Sequence, residues 1–367
     1  MDGRTRIRHA ILRRPLDRIP RYDSFWEDTL SAWLAQGMPT GAGPEDLFDF
    51  DLRIMNIDAS LRCEQEILRE DPECVVFRDR AGYTARKFMG KSRALEWIDH
   101  VTKDKQTWQR LRDGFRVDPA GPARLDVKSY FFHMDPYPAW SEVKQQYDAI
   151  RATGKYLAYA VYGPWEGAWR HRGYTPLLMD LAEDPLWVAE MAEAQSELVV
   201  AILRHCAALS LKPDALWLVD DLACTRGLLF SPATWRAVFK PIYRRLGQFL
   251  RDEGISFWLH CCGNCLPLLD DLIECGLEVL QPLQAQAGLD VRELKPAYGD
   301  RITFWGNINV VKLSGPAEAC EAEIRDKIMV AKQGGGYIYH SDHSIPPEVT
   351  FARYQSIMEL VEKYGRY

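Results

Sequence analysis

From residue 140 onward, short apolar runs alternate with longer segments whose apolar positions recur every three or four residues. The runs at 156–162, 215–219, 256–260, 277–282, 302–305 and 337–340 are rich in Leu, Val, Ile and aromatic residues. Such runs suit strands covered on both faces. Between and after them, helical patterns are predicted at 140–153, 176–209, 232–252, 266–275, 291–298, 316–332 and 349–364. Pro232 behind Ser231 marks a helix start, and Gly334-Gly335-Gly336 marks a helix stop. Strand followed by helix, repeated, means crossover connections and a parallel sheet.

The first third is less regular. A helix is predicted at 4–14, with Ile7, Ile11 and Leu12 on one side and arginines on the other. An extended segment at 18–26 and a helix at 28–36 follow, then a Gly/Pro turn cluster at 39–44 and a mixed segment at 51–66. Residues 74–88 read as a β-hairpin turning near Ala81-Gly82. The segment around Ile19 brings the strand candidates to seven, and 127–132 is the candidate for an eighth. The expected fold is therefore α/β, a distorted (β/α)8 TIM-type barrel with an N-terminal β-hairpin excursion. All of 1–367 is expected to form a single barrel domain, with about 70–135 as an inserted hairpin and helical cover. A doubly wound open sheet would normally show a glycine-rich phosphate loop after its first strand. No Gly-x-Gly-x-x-Gly occurs in the chain.

Composition narrows the function classes. A hydrophobic share of 47% and a charged share of 27% are ordinary for a globular enzyme. A net charge of −6 argues against a nucleic-acid binder, which carries a basic face. No apolar stretch reaches the length of a membrane span. Residues 1–21 hold seven arginines but also Asp2, Asp17, Pro15 and Pro20, a pattern unlike a transit peptide, and are expected to form a surface helix. Nine cysteines without a regular framework fit a reduced compartment, so a cytoplasmic location is expected.

Chemistry-bearing residues gather at the C-terminal ends of the predicted strands: Glu166, Asp220, Asp221, His260, Cys262, Gln281, Asn307, Asp342 and His343. In a parallel barrel those ends share one face, where such folds build their sites. Alternation along a strand puts His260 and Cys262 on one face and Cys261 on the other. An imidazole and a thiolate side by side suit zinc, which needs a third protein ligand and an open position for catalysis. His343, just past the last strand, is the expected third ligand, with Cys265 and Glu166 as alternatives. Glu166, flanked by Trp165 and Gly167, suits a proton donor, because apolar surroundings raise a carboxyl pKa. Asp220 and Asp221 are the other candidate acid–base groups, of which at most one can face the site if the strand persists. Buried core packing is the plain alternative for the cysteines, and solvated turns for the aspartates.

Five stretches, in order and spacing, give the chain a likeness to a known family. They are Asp17-Arg18-Ile19-Pro20, Gly163-Pro164-Trp165-Glu166, Leu229-Phe230-Ser231-Pro232, His260-Cys261-Cys262-Gly263-Asn264 and Asp342-His343-Ser344 with Ile345-Pro346-Pro347. Through them the chain resembles the uroporphyrinogen decarboxylase superfamily from about residue 4 to residue 366. The resemblance implies a distorted barrel, often a homodimer, and either a decarboxylase or a cobalamin-dependent methyltransferase. True decarboxylases carry Arg-Gln-Ala-Gly-Arg-Tyr after the first strand to hold an acidic tetrapyrrole. Here that place reads Arg21-Tyr22-Asp23-Ser24-Phe25-Trp26, without the arginine pair. The methyltransferase branch carries His-x-Cys-Gly, matched by His260-x-Cys262-Gly263, and a third zinc ligand, typically Cys, where this chain has His343.

The function this implies is zinc-dependent transfer of a methyl group between a small methyl ether, thiol or similar substrate and the cobalt of a corrinoid, as in demethylation. None of the eight histidines sits in the Asp-x-His-x-x-Gly loop of corrinoid-binding modules, so the corrinoid is expected on a separate partner protein docking over the barrel mouth. Trp26, Trp165, Asn307 and Asp342 are the expected substrate-binding residues, with Trp169 and Trp305 as further candidate walls. Two alternatives stand beside this reading: a metal-free decarboxylase of a smaller acid, and a non-catalytic binding barrel.

Overall fold

In the computed structural model, which describes residues 1–90, 95–128 and 133–367, strands and helices alternate as the hydropathy pattern predicts. The strands in chain order are β1 (Leu52–Ile57), β2 (Glu66–Glu70), β3 (Cys74–Arg78), β4 (Tyr83–Phe88), β5 (Leu95–His100), β6 (Leu125–Asp126) and β7 (Tyr156–Tyr162). Then come β8 (Ala215–Val219), β9 (Ala223–Cys224), β10 (Gly227–Leu228), β11 (Ser256–His260), β12 (Val279–Gln281), β13 (Thr303–Trp305) and β14 (Tyr337–Ile338).

One sheet runs β14-β13-β12-β11-β8-β7-β1, parallel throughout, with β6 adding antiparallel to β1. Residues 20–22 close the ring as its remaining stave. Tyr339 N–H donates to Pro20 O (2.8 Å) and Tyr22 N–H to Tyr339 O (3.2 Å) on one side, while Asp51 N–H donates to Arg21 O (2.9 Å) on the other. The result is a (β/α)8 barrel. The strand expected at 127–132 is a correction: residues 127 and 128 are bends, 129–132 lie outside the described residues, and β1 holds the position instead. Arg53 and Asn56 hid β1 by breaking its apolar run. Both find partners at the barrel's edge, Arg53 on Asp46 and Asn56 on the Lys128 carbonyl (2.6 Å).

The barrel interior is a packed aromatic plug. Tyr156, Trp217, Trp258 and Trp305 meet within it, with ring centroids 4.9 Å apart for Trp217–Trp305 and 5.3 Å for Trp258–Trp305. Ala158, Ala160 and Ala215 on neighbouring staves leave the room such rings need. The helix Gly3–Ile11 contributes Ile7 to this interior, so it plugs the barrel rather than lying on the surface as expected. Its Arg6 and the nearby Arg18 turn inward onto the fully buried Asp51 carboxylate.

The expected hairpin is present as β3 and β4, and belongs to a four-stranded antiparallel sheet β2-β3-β4-β5. It leans on the barrel where the Trp97 edge meets Trp169 at 4.7 Å. Trp169 belongs to the helix Pro164–Arg172, a segment read from the sequence only as a strand end. Among the described residues no helix is long and apolar enough to cross a membrane.

Candidate metal centre and substrate cavity

His260 ends β11, and Cys262 follows two residues later in the turn at Gly263. Gly263 has φ +77°, and a Cβ there would meet the Cys224 backbone at 2.5 Å, so the turn requires glycine. Alternation holds across the strand end: Cys261 packs into the outer core while His260 and Cys262 face the barrel mouth. Cys262 Sγ lies 3.3 Å from His260 Nε2, and Asp221 Oδ1 lies 3.6 Å from the same nitrogen. Among the described residues, these three are the group of metal-capable side chains whose donor atoms all fall within 4.8 Å. The Asp221 carboxylate is steadied by the Cys262 N–H at 2.7 Å.

The ring of His260 is fixed from behind. Its Nδ1 meets the Gln281 side-chain oxygen, an acceptor, so Nδ1 carries the hydrogen and Nε2 turns its lone pair toward Cys262 and Asp221. Burial, with the carboxylates of Asp221, Glu166 and Asp342 nearby, holds the Cys262 thiol well above its ordinary range. The sulfur thus keeps its proton until a cation displaces it.

The group opens into a cavity of about 330 Å³ at the C-terminal mouth of the barrel. Trp217, the top of the aromatic plug, forms its floor, and Phe25, Trp26, Tyr162, His340, His343 and Ser344 are among its walls. Glu166 and Arg170, one turn apart on the helix Pro164–Arg172, face each other there at 2.9 Å. The Arg170 guanidinium lies 3.5 Å over the Tyr162 ring. Burial pushes the Glu166 carboxyl up to about 8, although Arg170 pulls it down.

Glu166, Asp221, Trp26, His260, Cys262 and His343 from the sequence reading line this one cavity. His343 stacks on Trp26 with centroids 5.6 Å apart and is not one of the three clustered donors. Cys265, an alternative ligand, is buried in the outer core.

Four expected site residues lie elsewhere. Asp220 sits behind the wall, where its carboxylate accepts from Glu166 N–H (2.7 Å), Trp165 N–H (3.4 Å) and the Tyr243 hydroxyl. It caps the helix Pro164–Arg172, and Gly163 is needed because a Cβ there would fall 2.5 Å from Asp220 Cβ. Trp165 packs edge-on against Phe230 at 5.3 Å instead of walling the cavity. Asn307 is buried at φ +75°, donating to the carbonyls of Leu283 (2.7 Å) and Leu289 (2.8 Å) and accepting from Val291 N–H (2.9 Å). Asp342 accepts from Val310 N–H (2.8 Å) and Ala285 N–H (3.0 Å), which ties the loops after β12 and β13 together. Asp220, Asn307 and Asp342 were expected in the site because each is polar at a strand end, and each instead satisfies backbone groups there.

Tyr162, Arg170, Ser24, His340 and Ser344 reach the cavity without having been assigned to it, and so does Gln281, which was placed on the site face but given no role. Gln281 carried a signal, since it stands at a strand end beside the His260 strand. For Arg170 the signal was helical: Pro164 at the first turn, Glu166 behind it, and basic residues in the last turn.

Comparison with known proteins places the chain. It is similar to the methylcobamide:CoM methyltransferase MtaA of Methanosarcina barkeri, 29% identical over 153 residues, which are 41% of this chain and 42% of that protein. A second MtaA, from Methanosarcina barkeri strain Fusaro, is 27% identical over the same length. The chain thus spans about two fifths of the length of the curated relatives it matches. A solved methyltransferase from Methanosarcina mazei superposes with a TM-score of 0.65 over 99% of both chains at 14% identity, a likeness of fold. The profile of the uroporphyrinogen decarboxylase (URO-D) family matches residues 127–364, a span holding β7 to β14 and every residue of the donor group. By that match, over more than half of its length, the chain belongs to the uroporphyrinogen decarboxylase family.

Proposed function

We propose that this chain is a zinc-dependent methyltransferase, moving a methyl group between a small substrate and the cobalt of a corrinoid carried by a separate protein. The observation that carries the reading is the spacing of the three donors. A tetrahedral zinc with ordinary bond lengths sets its ligand atoms roughly 3.4–3.6 Å apart. His260 Nε2 stands 3.3 Å from Cys262 Sγ and 3.6 Å from Asp221 Oδ1. Asp221, His260 and Cys262 would hold the ion, leaving a fourth position toward the cavity. Asp221 thereby takes the place expected for His343. A zinc ion there supplies Lewis acidity, lowering the pKa of a substrate thiol or polarising a methyl ether.

The chain's own residues do the rest. Gln281 fixes the His260 ring. Trp26, Phe25, Tyr162 and Trp217 give a small, largely apolar site that limits water beside the reacting atom. Glu166 and Arg170 offer the polar end of a substrate a matched donor and acceptor. The likeness to two MtaA proteins supports a corrinoid as the other party. A tetrapyrrole decarboxylase fits less well. Arg21, at the place of the decarboxylases' arginine-rich stretch, is turned away onto Glu362 at 2.9 Å.

Purified protein is expected to hold about one zinc per chain, to lose most of it in His260→Ala and Cys262→Ala, and to move methyl from methylcobalamin to a thiol only when loaded. Metal-free protein with turnover untouched by both substitutions would end this reading and favour the decarboxylase. Zinc without turnover, given any corrinoid protein, would favour the binding barrel.

A further inference from the structure

We propose that Ser344, Ser24 and His340 form a proton relay serving the substrate heteroatom in the cavity, with Asp23 behind the imidazole. The inference rests on the methyl-transfer reading and deepens it. A thiol or hydroxyl accepting a methyl group must lose its proton, and a methyl donor must regain one. The three donors of the ion site have no proton capacity to spare once they hold a cation.

All three relay residues line the same cavity as His260 and Cys262. Ser344 Oγ lies 3.0 Å from Ser24 Oγ, and Ser24 Oγ lies 3.3 Å from His340 Nε2. The direction of the chain follows from the far end. His340 Nδ1 meets the Ser341 carbonyl, which can only accept, so Nδ1 carries the hydrogen and Nε2 carries a lone pair. Ser24 therefore donates to His340, and Ser344 donates to Ser24. Ser344 Oγ is left with lone pairs to accept from a bound substrate.

Asp23 completes the set. Its buried Oδ1 stands 3.5 Å from His340 Nδ1, and the carboxylate is fixed by Ser341 N–H (3.2 Å) and by the hydroxyls of Tyr354 (3.0 Å) and Tyr339 (3.3 Å). A carboxylate so held stabilises an imidazolium, in the group order of a Ser–His–Asp triad. Here the serines pass protons and form no acyl bond. The remaining faces of the ring meet Tyr22 and the edge of Trp305, and His260 is the other titratable group acting on it. Burial lowers His340 below its ordinary value while Asp23 raises it, so the resting ring is neutral and able to accept.

The step balances. The substrate S–H or O–H bond breaks as its proton goes to Ser344 Oγ. The Ser344 proton moves to Ser24 Oγ, and the Ser24 proton to His340 Nε2. The electron pair stays on the substrate heteroatom for the methyl group, and the imidazolium faces Asp23. Reversed, the same path protonates a departing thiolate or alkoxide. Ser344 is the member that touches substrate, whereas Ser24 and His340 act through it.

The test loads the protein with Co2+ and mixes it with 2-mercaptoethanol in a stopped-flow instrument, following the sulfur-to-cobalt band. Ser344→Ala and His340→Gln are expected to slow the band by about 100-fold with its final height kept, the usual worth of a positioned base. Ser344→Thr is expected to retain the wild-type rate. The wild-type rate should fall on an acid limb below the ordinary histidine pKa, and His340→Gln should lack that limb. Unchanged rates in Ser344→Ala and His340→Gln, or a loss confined to Glu166→Gln, would overturn the relay and leave the ion site standing. Failure of wild type to bind Co2+ or to give any band would overturn the methyl-transfer reading and the relay together.

Discussion

A histidine can hold an ion only if its lone pair is aimed, and in this site the aiming falls to one neighbouring amide. Gln281 accepts from His260 Nδ1 and so commits Nε2 to Cys262 and Asp221. Partners of this kind are worth 10–100-fold in metal affinity. Gln281→Ala is therefore expected to weaken zinc by about 10–100-fold in competition with a chromophoric chelator, while Gln281→Glu, which keeps an acceptor, stays close to wild type. Equal affinities in all three would mean that packing alone orients the ring. At this scale the sequence was partly legible. Strand alternation carried the shared face of His260 and Cys262, because the extended chain continues past the end of β11, where Cys261 N–H donates to Gln281 O (2.8 Å). It could not choose between Asp220 and Asp221, which lie in the turn after β8, where alternation no longer applies. Nor could it separate Asn307 or Asp342, engaged with backbone amides and carbonyls, from residues that face a ligand. A side chain capping a loop and one binding a substrate have the same composition.

Helix Pro164–Arg172 shows what an element adds. It delivers Glu166 and Arg170 to the cavity from one face and receives the four-stranded sheet on another, through Trp169, while His171 holds the segment that follows the sheet. His171 is buried against Trp108, with ring centroids 5.1 Å apart, and its Nδ1 lies 2.9 Å from Thr102 Oγ1. Burial pulls His171 down to about 3, and pulls His100, at the end of β5, down to about 4. Both are depressed below the value of 6.5 they regain on unfolding, so the unfolded chain takes up protons first as pH falls. Stability is expected to be full above that value and to drop as pH descends from it toward 4. His171→Phe keeps the stacked volume and removes the proton site. Urea unfolding across this range should show a shallower acid slope for the variant, after an initial cost of about 1–3 kcal/mol for the orphaned Thr102 hydroxyl. Parallel slopes would assign the acid sensitivity to other groups. The sequence reading passed over this helix because Gly163-Pro164 looked like the end of a strand. Both are true of the same dipeptide: the strand ends there, and the proline opens the next helix.

For the whole molecule, the question is what keeps an eight-staved ring closed when one stave is only residues 20–22. Strands with continuous apolar runs announced themselves, and this segment was read as extended, but β1 beside it, interrupted by Arg53 and Asn56, was not. Their junction is held by charge rather than by apolar periodicity. Asp51, fully buried, accepts from Arg6, from Arg18 (2.7 Å) and from the Arg21 N–H (2.9 Å), joining the first helix, the short stave and β1 at one carboxylate. An arginine-rich N-terminus reads as a solvated face because sequence does not show a partner some 30–45 residues away. Removing the acid takes from two buried guanidinium groups the one counter-charge that is itself fully buried, leaving Arg6 only Asp17 and Arg18 only the more exposed Asp49 and Glu362, a cost of about 3–5 kcal/mol. Asp51→Ala should therefore shift the urea midpoint down strongly while leaving the slope unchanged, since the folded surface is the same. Asp49, which pairs with the same Arg18 at 3.2 Å but stands largely in solvent, is the control, and Asp49→Ala should cost less than about 1 kcal/mol. If the two variants unfold alike, the ring is held by the Tyr339–Pro20 and Asp51–Arg21 backbone bonds and the Ile7 plug alone, and the arginines are incidental to its closure.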